Sequence, residues 1–231
     1  GSYTGVPYNG TNGIQITNIN DNYNLIGNPY PSAIDAEEFL AANTYHATTN
    51  PTGVIYGNVK LWTHGYQPAA IVNPFYGSFA YNYNANDYVT LNYLGASDPI
   101  GASNIIKSGQ AFFVQMVDGT TGTGNVNFSN SMRLDASNNP YNNSGFFRNS
   151  NTPLERHRIW LDLIDSNNIV SGTLVGYATD ATNDFDTFFD AQSGVPGFMK
   201  MYSLINNDVY DIQGRSLPFD QNDQVPLGAT F

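Results

Sequence analysis

The chain has 231 residues, 41% hydrophobic and 14% aromatic, which suits one large domain or two small ones and is long enough to bury a core without disulfides. It contains no cysteine, which excludes a disulfide framework, a zinc–thiolate or iron–sulfur site and a cysteine nucleophile. Eight Lys plus Arg against nineteen Asp plus Glu give a net charge of −11, which excludes a nucleic-acid binder, and no apolar run is long enough to span a membrane.

Turn formers and β formers outnumber strong helix formers along the chain, with 22 Gly and 16 Tyr among many Asn and Thr. Nothing at the N-terminus reads as a signal peptide, so the sequence is expected to come from the interior of a longer chain. The first persuasive element follows Asn28-Pro29-Tyr30-Pro31. There Ser32 and Asp35 are candidate N-caps, and Glu38 stands three residues after Asp35 in a capping-box pattern. A helix of two turns is expected near 33–42, with Ile34, Phe39 and Leu40 as its apolar face and Asn43 closing its end.

The rest reads as strands. In Val59 to His64, Val59 and Leu61 are expected to point inward and Lys60, Trp62 and His64 outward. The apolar run from Gln110 to Met116 predicts a strand buried on both faces. Val126 and Phe128 alternate with polar neighbours. From Arg158 to Ile164, Ile159, Leu161 and Leu163 share one face, with Arg158, Trp160 and Asp162 on the other. Further strands are expected at Thr173–Ala178 and Phe198–Leu204. Short alternating segments between Asn/Gly/Pro turns predict an all-β fold, a β-sandwich or jelly-roll-like module with one short helix, followed by a smaller β-rich segment. The Asn/Ser/Gly-dense stretch from Asp135 to Thr152 places the boundary, giving modules at 3–148 and 153–231.

Several motifs carry a resemblance. Asn24-Leu25-Ile26-Gly27-Asn28-Pro29-Tyr30-Pro31-Ser32-Ala33-Ile34-Asp35 resembles a motif of large surface and secreted proteins of the Bacteroidota that are exported by the type IX secretion system. The likeness continues through Leu61-Trp62-Thr63-His64, Ser108 to Val114, Phe128 to Arg133, Arg158 to Leu161 and Leu174 to Tyr177. It runs on to Ile212-Gln213-Gly214-Arg215-Ser216-Leu217-Pro218-Phe219 and Val225-Pro226-Leu227-Gly228. It implies a cell-surface or extracellular location and export by the type IX machinery through the parent chain. It also implies a region upstream of, or grading into, a C-terminal sorting module that is incomplete or absent here. It implies no catalytic activity, because such regions accompany glycosidases, peptidases and adhesins alike.

Two clusters suggest chemistry. A flat indole flanked by polar donors stacks on the apolar face of a sugar, which makes Lys60, Trp62 and His64, with Tyr66, Tyr81 and Tyr83, a candidate platform for a polysaccharide or cell-surface glycan. The alternative is that Trp62 packs beneath the following loop in an ordinary sandwich. Asp180, Asn183, Asp184, Asp186 and Asp190 gather five oxygen donors within eleven residues, a composition suited to Ca2+, although the glycine and terminal Glu of an EF-hand are missing. A solvated acidic loop with turn-capping carboxylates is the competing reading. Asp220 to Asp223 is a weaker second candidate. Adjacent Glu37 and Glu38 do not make a glycosidase pair, and His46, His64 and His157 have no metal spacing. The sequence therefore predicts a non-catalytic adhesion or glycan-binding module. A structural spacer and a fragment of a hydrolase are the alternatives.

Overall fold

The computed structural model describes residues 5–19, 22–63, 87–98, 103–119, 122–139, 155–166, 168–194 and 199–231. The fold is all-β and sandwich-like, with one short α-helix among the described residues. A five-stranded sheet is ordered β2(Tyr23–Gly27), β8(Ala111–Met116), β4(Ile55–Trp62), β5(Tyr88–Asn92), β6(Gly95–Ala96). Two short antiparallel pairs accompany it: β1(Asn12–Thr17) with β9(Thr123–Phe128), and β3(Ile34–Asp35) with β7(Ile105–Ile106). The second sheet draws its described strands from residue 156 onward. Its order is β10(Arg156–Ile164), β11(Val170–Ala178), β14(Asp208–Ser216), β13(Lys200–Ile205), β15(Leu227–Thr230), with β12(Ala191–Gln192) also on β14. β11 and β14 run parallel and the other described pairs of this sheet antiparallel. Of the expected boundary stretch, Asp135 to Thr152, the part from residue 140 onward lies outside the described residues.

The helix forms where its punctuation predicts. α1 spans Ala36–Asn43, and the Asp35 carboxylate caps it by accepting from the N–H groups of Glu37 and Glu38. Asn43 closes the far end: its amide donates to the carbonyls of Phe39 and Asn127, and its oxygen accepts from the Asn127 N–H. That buried amide ties the helix to β9 and satisfies groups that the end of a helix leaves unpaired. Phe39 sits fully buried between Phe112 and Phe128, with ring centroids 5.3 and 5.0 Å away.

The Asn-Pro-Tyr-Pro segment is built around Asn28. Its buried amide donates to the carbonyls of Ser32, Ile106 and Lys107, while its oxygen accepts from the Tyr30 N–H. One side chain thus replaces the backbone pairing that the prolines forbid.

Alternation holds in β8, but the strand is not buried on both faces. Phe112, Val114 and Met116 are in the core, whereas Ala111 is exposed and Phe113 and Gln115 are half-buried. In β10 the face bearing Trp160 is the one that packs. The indole lies against the second core and its Nε1–H donates to the Ala96 carbonyl at 3.0 Å, while Ile159 is exposed. Replacing Phe39 with Ala is predicted to cost about 3–5 kcal/mol, against about 1 kcal/mol for Asp35→Ala, as read from chemical denaturation midpoints.

Candidate functional site

The side chains of the first sheet divide by register. Directly opposed residues of an antiparallel pair share a face. The pairs Lys60↔Phe113, Lys60↔Thr90, Leu25↔Phe113 and Trp62↔Tyr88 therefore set Lys60, Trp62, Phe113, Tyr88 and Leu25 on the side opposite the Phe39 core. Val59 and Leu61 point into that core, as their alternation predicts. The expected outward exposure of Lys60 is not what the structure has: its relative exposure is 2%. Lys60 is on the expected face, and the second sheet covers that face at its position.

The cover is electrostatic. The Lys60 Nζ donates to Asp211 Oδ2 at 3.2 Å, to Thr90 Oγ1 at 3.0 Å and to the Gln192 carbonyl at 3.1 Å. The Thr90 hydroxyl donates to Asp211 Oδ2 at 2.8 Å, and Lys200 holds Asp211 Oδ1 at 3.0 Å. Burial alone would raise the Asp211 pKa, but Lys60 and Lys200 outweigh it and bring the group down to about 2. Desolvation lowers the Lys60 pKa against the pull of Asp211, and neighbouring Lys200 adds to the lowering.

Around this cluster the two sheets meet closely. The Gly57 N–H donates to the Thr187 carbonyl, and a Cβ at Gly57 would fall 2.1 Å from that oxygen, so only glycine fits there. Asn92 donates to the Phe189 carbonyl, and Leu94, from the turn after β5, is fully buried in the second core. Arg156 clamps the same turn through the Tyr93 carbonyl at 2.6 Å and Glu37 at 3.0 Å.

The same face carries aromatics, of which Tyr23 abuts Gly194, just after β12 of the second sheet. Trp62 meets Tyr88 edge-on at 4.8 Å, Tyr88 meets Phe113 at 5.8 Å, and Phe113 meets Tyr23 at 6.5 Å. All four rings are half-buried, and Leu25 beside them is 61% exposed. Trp62 also borders a recess of about 330 Å3 whose polar lining includes Ser103, Lys107 and Gln110. Of the other residues expected in the platform, His64, Tyr66, Tyr81 and Tyr83 lie outside the described residues. Tyr23, Tyr88 and Phe113 were not anticipated. Cross-strand neighbours in a sheet come from distant parts of the chain, and their only sequence signal is an aromatic on the face opposite a core position.

The acidic loop is heavily self-bonded. Asp190, 2% exposed, accepts from the Asp186 N–H at 2.6 Å and the Gly214 N–H at 2.7 Å, and burial pushes its pKa up to about 7 against those two donors. Asp186 accepts from the Thr182 N–H, and Asn183 Oδ1 accepts from the N–H and hydroxyl of Ser216. Asp180 and Asp184 are exposed. A calcium ion here would have to draw on those two, on carbonyls and on water, because Asp190 is sealed inside. Among the described residues no three His, Asp or Glu side chains converge as a metal site. In the second candidate, Asp223 is taken by Arg215 and by the Tyr177 hydroxyl.

Fold and site together define an all-β chain whose two sheets are joined through a buried ion cluster, with a half-open aromatic face beside the joint. Residues 1–231 match the family described as Domain of unknown function (DUF8693), and the chain belongs to that family. Comparison with curated proteins and with solved structures gave no match.

Removing one member of the cluster leaves a buried charge without its partner. Lys60→Ala or Asp211→Ala is therefore predicted to cost about 3–5 kcal/mol, whereas a Lys60→Met, Asp211→Leu pair recovers most of the loss. The Asp211 pKa is below its unfolded value near 3.9, so its contribution is present above about pH 4 and disappears as pH falls toward 2. That contribution is about 2–3 kcal/mol, and acid unfolding of the double variant should lack it.

Proposed function

We propose that the chain is a non-catalytic module of an exported cell-surface protein, and that it binds polysaccharide or surface glycan through the aromatic face around Trp62. The observation that carries this reading is the row Trp62–Tyr88–Phe113–Tyr23, half-open on a sheet whose other face is the core, with the recess at Lys107, Ser103 and Gln110 beside its indole. Rings offer flat apolar area to the C–H face of a sugar, and the neighbouring ammonium, hydroxyl and amide supply bonds to its hydroxyls. Export by the type IX route rests on the motif resemblance from Asn24 to Gly228. Lys60 drops out of the platform because its ammonium is spent in the joint, and Lys107 takes its place as the cation near the indole.

A second reading, the structural spacer, draws on the ion cluster. Buried charge pairs between two sheets fix their relative placement, which suits a module that holds a neighbouring domain at a set position.

The two readings part at Trp62. Under glycan binding, Trp62→Ala lowers affinity for a retained polysaccharide at least about tenfold, as expected for an aromatic anchor, with a small change in melting midpoint. Under the spacer reading no polysaccharide on a glycan array is retained by the native protein, and the same substitution acts on stability alone.

A further inference from the structure

A second concavity lies away from the Trp62 face, where the end of α1 and the loop after it approach the acidic loop of the second sheet. It encloses about 670 Å3, within the roughly 300–1,000 Å3 usual for small-ligand pockets. Its lining includes Tyr93, Phe188 and Phe189, the imidazole of His46, and the carboxylates Asp180 and Asp186. Phe188 anchors the aromatic part: His46 stacks at 5.4 Å in a tilted arrangement, and Tyr93 meets it edge-on at 5.3 Å.

Among the described lining residues, Asp180 and Asp186 carry charge and neither Lys nor Arg occurs. Arg156 stands behind it and is held by Glu37 and the Tyr93 carbonyl. His46 Nδ1 accepts from the N–H groups of Thr48 and Thr49, which puts the proton of the neutral ring on Nε2. Burial raises the Tyr93 pKa, and the Glu37, Glu38 and Asp35 carboxylates add to the rise. An aromatic surface within a carboxylate field attracts cations by two routes, the ring quadrupole and direct Coulomb attraction.

We propose that this recess is a binding site for a small organic cation, a quaternary or protonated amine on an apolar body, with Phe188 and Tyr93 as the aromatic walls and Asp180 and Asp186 as the counter-charge. The site is independent of the Trp62 platform, shares no residue with it, and stands or falls separately. Its parts come from both sheets, so it exists only when they are docked.

The test uses choline and its uncharged counterpart of the same shape, 3,3-dimethylbutan-1-ol, titrated into the intact chain and followed by proton NMR. Choline should give saturable shifts at the His46 and Tyr93 rings, with the alcohol at least about tenfold weaker. Phe188→Leu, which keeps the apolar volume and removes the π face, should weaken choline about tenfold, and Asp180→Asn, at an exposed position, by a few fold. Phe188→Ala serves as a second variant, with the melting midpoint of each recorded alongside. Equal binding of choline and the alcohol would overturn the proposal. So would the absence of saturable shifts in the native protein, or undiminished choline binding by a folded Phe188 variant.

Discussion

An ammonium group that leaves water must find a counter-charge, and Lys60 finds Asp211 on the other sheet. Its position on β4 puts it on the face opposite the Phe39 core, where a lone sheet would leave it in solvent. In the folded chain Asp211, Thr90 and the Gln192 carbonyl take all its donor capacity. Desolvating two lysines and a carboxylate is costly, so the cluster adds little net stability over an apolar joint. Its effect is on uniqueness: a shifted docking would strand a charge. Because the hydrophobic part of the joint is small, with Leu94 as its main plug, this polar constraint sets where the sheets meet.

That placement decides what the surface can do. The joint seals Lys60 and leaves Trp62, Tyr88 and Phe113 half-buried on the same face, with Tyr23 at its margin against Gly194. The same docking brings the 180–190 loop against the end of α1, which creates the recess around Phe188. Gly57 belongs to this logic, since any side chain there would strike the Thr187 carbonyl and push the loop away.

Charge in the acidic loop is managed in the same manner. Asp190, Asp186 and Asn183 cap backbone N–H groups, two of them on β14, so the loop is tied to the second sheet by Asp190 and Asn183. Backbone donors near a carboxylate relieve part of the repulsion that clustered like charges create. Asp180 and one edge of Asp186 remain to border the recess.

Local patterns in the sequence determined the all-β class, a short helix near 33–42 with Ser32 and Asp35 as its candidate caps, the closing role of Asn43, and the alternation that sets Lys60 and Trp62 on one face; the structure chose Asp35 and the bounds Ala36–Asn43. Each depends on residues close along the chain, through capping geometry or the two-residue period of a strand. Only the tertiary structure decided that Lys60 is buried while Phe113 is half-open, and that Trp160 rather than Ile159 faces the second core. The same holds for Tyr23, Phe113 and Tyr88 joining Trp62 in one row. These outcomes depend on which surface covers which, and that follows from Asp211, 151 residues away from Lys60 along the chain. A strand's period says that two side chains share a face. It carries no information on what another sheet, folded from a distant segment, will lay over that face.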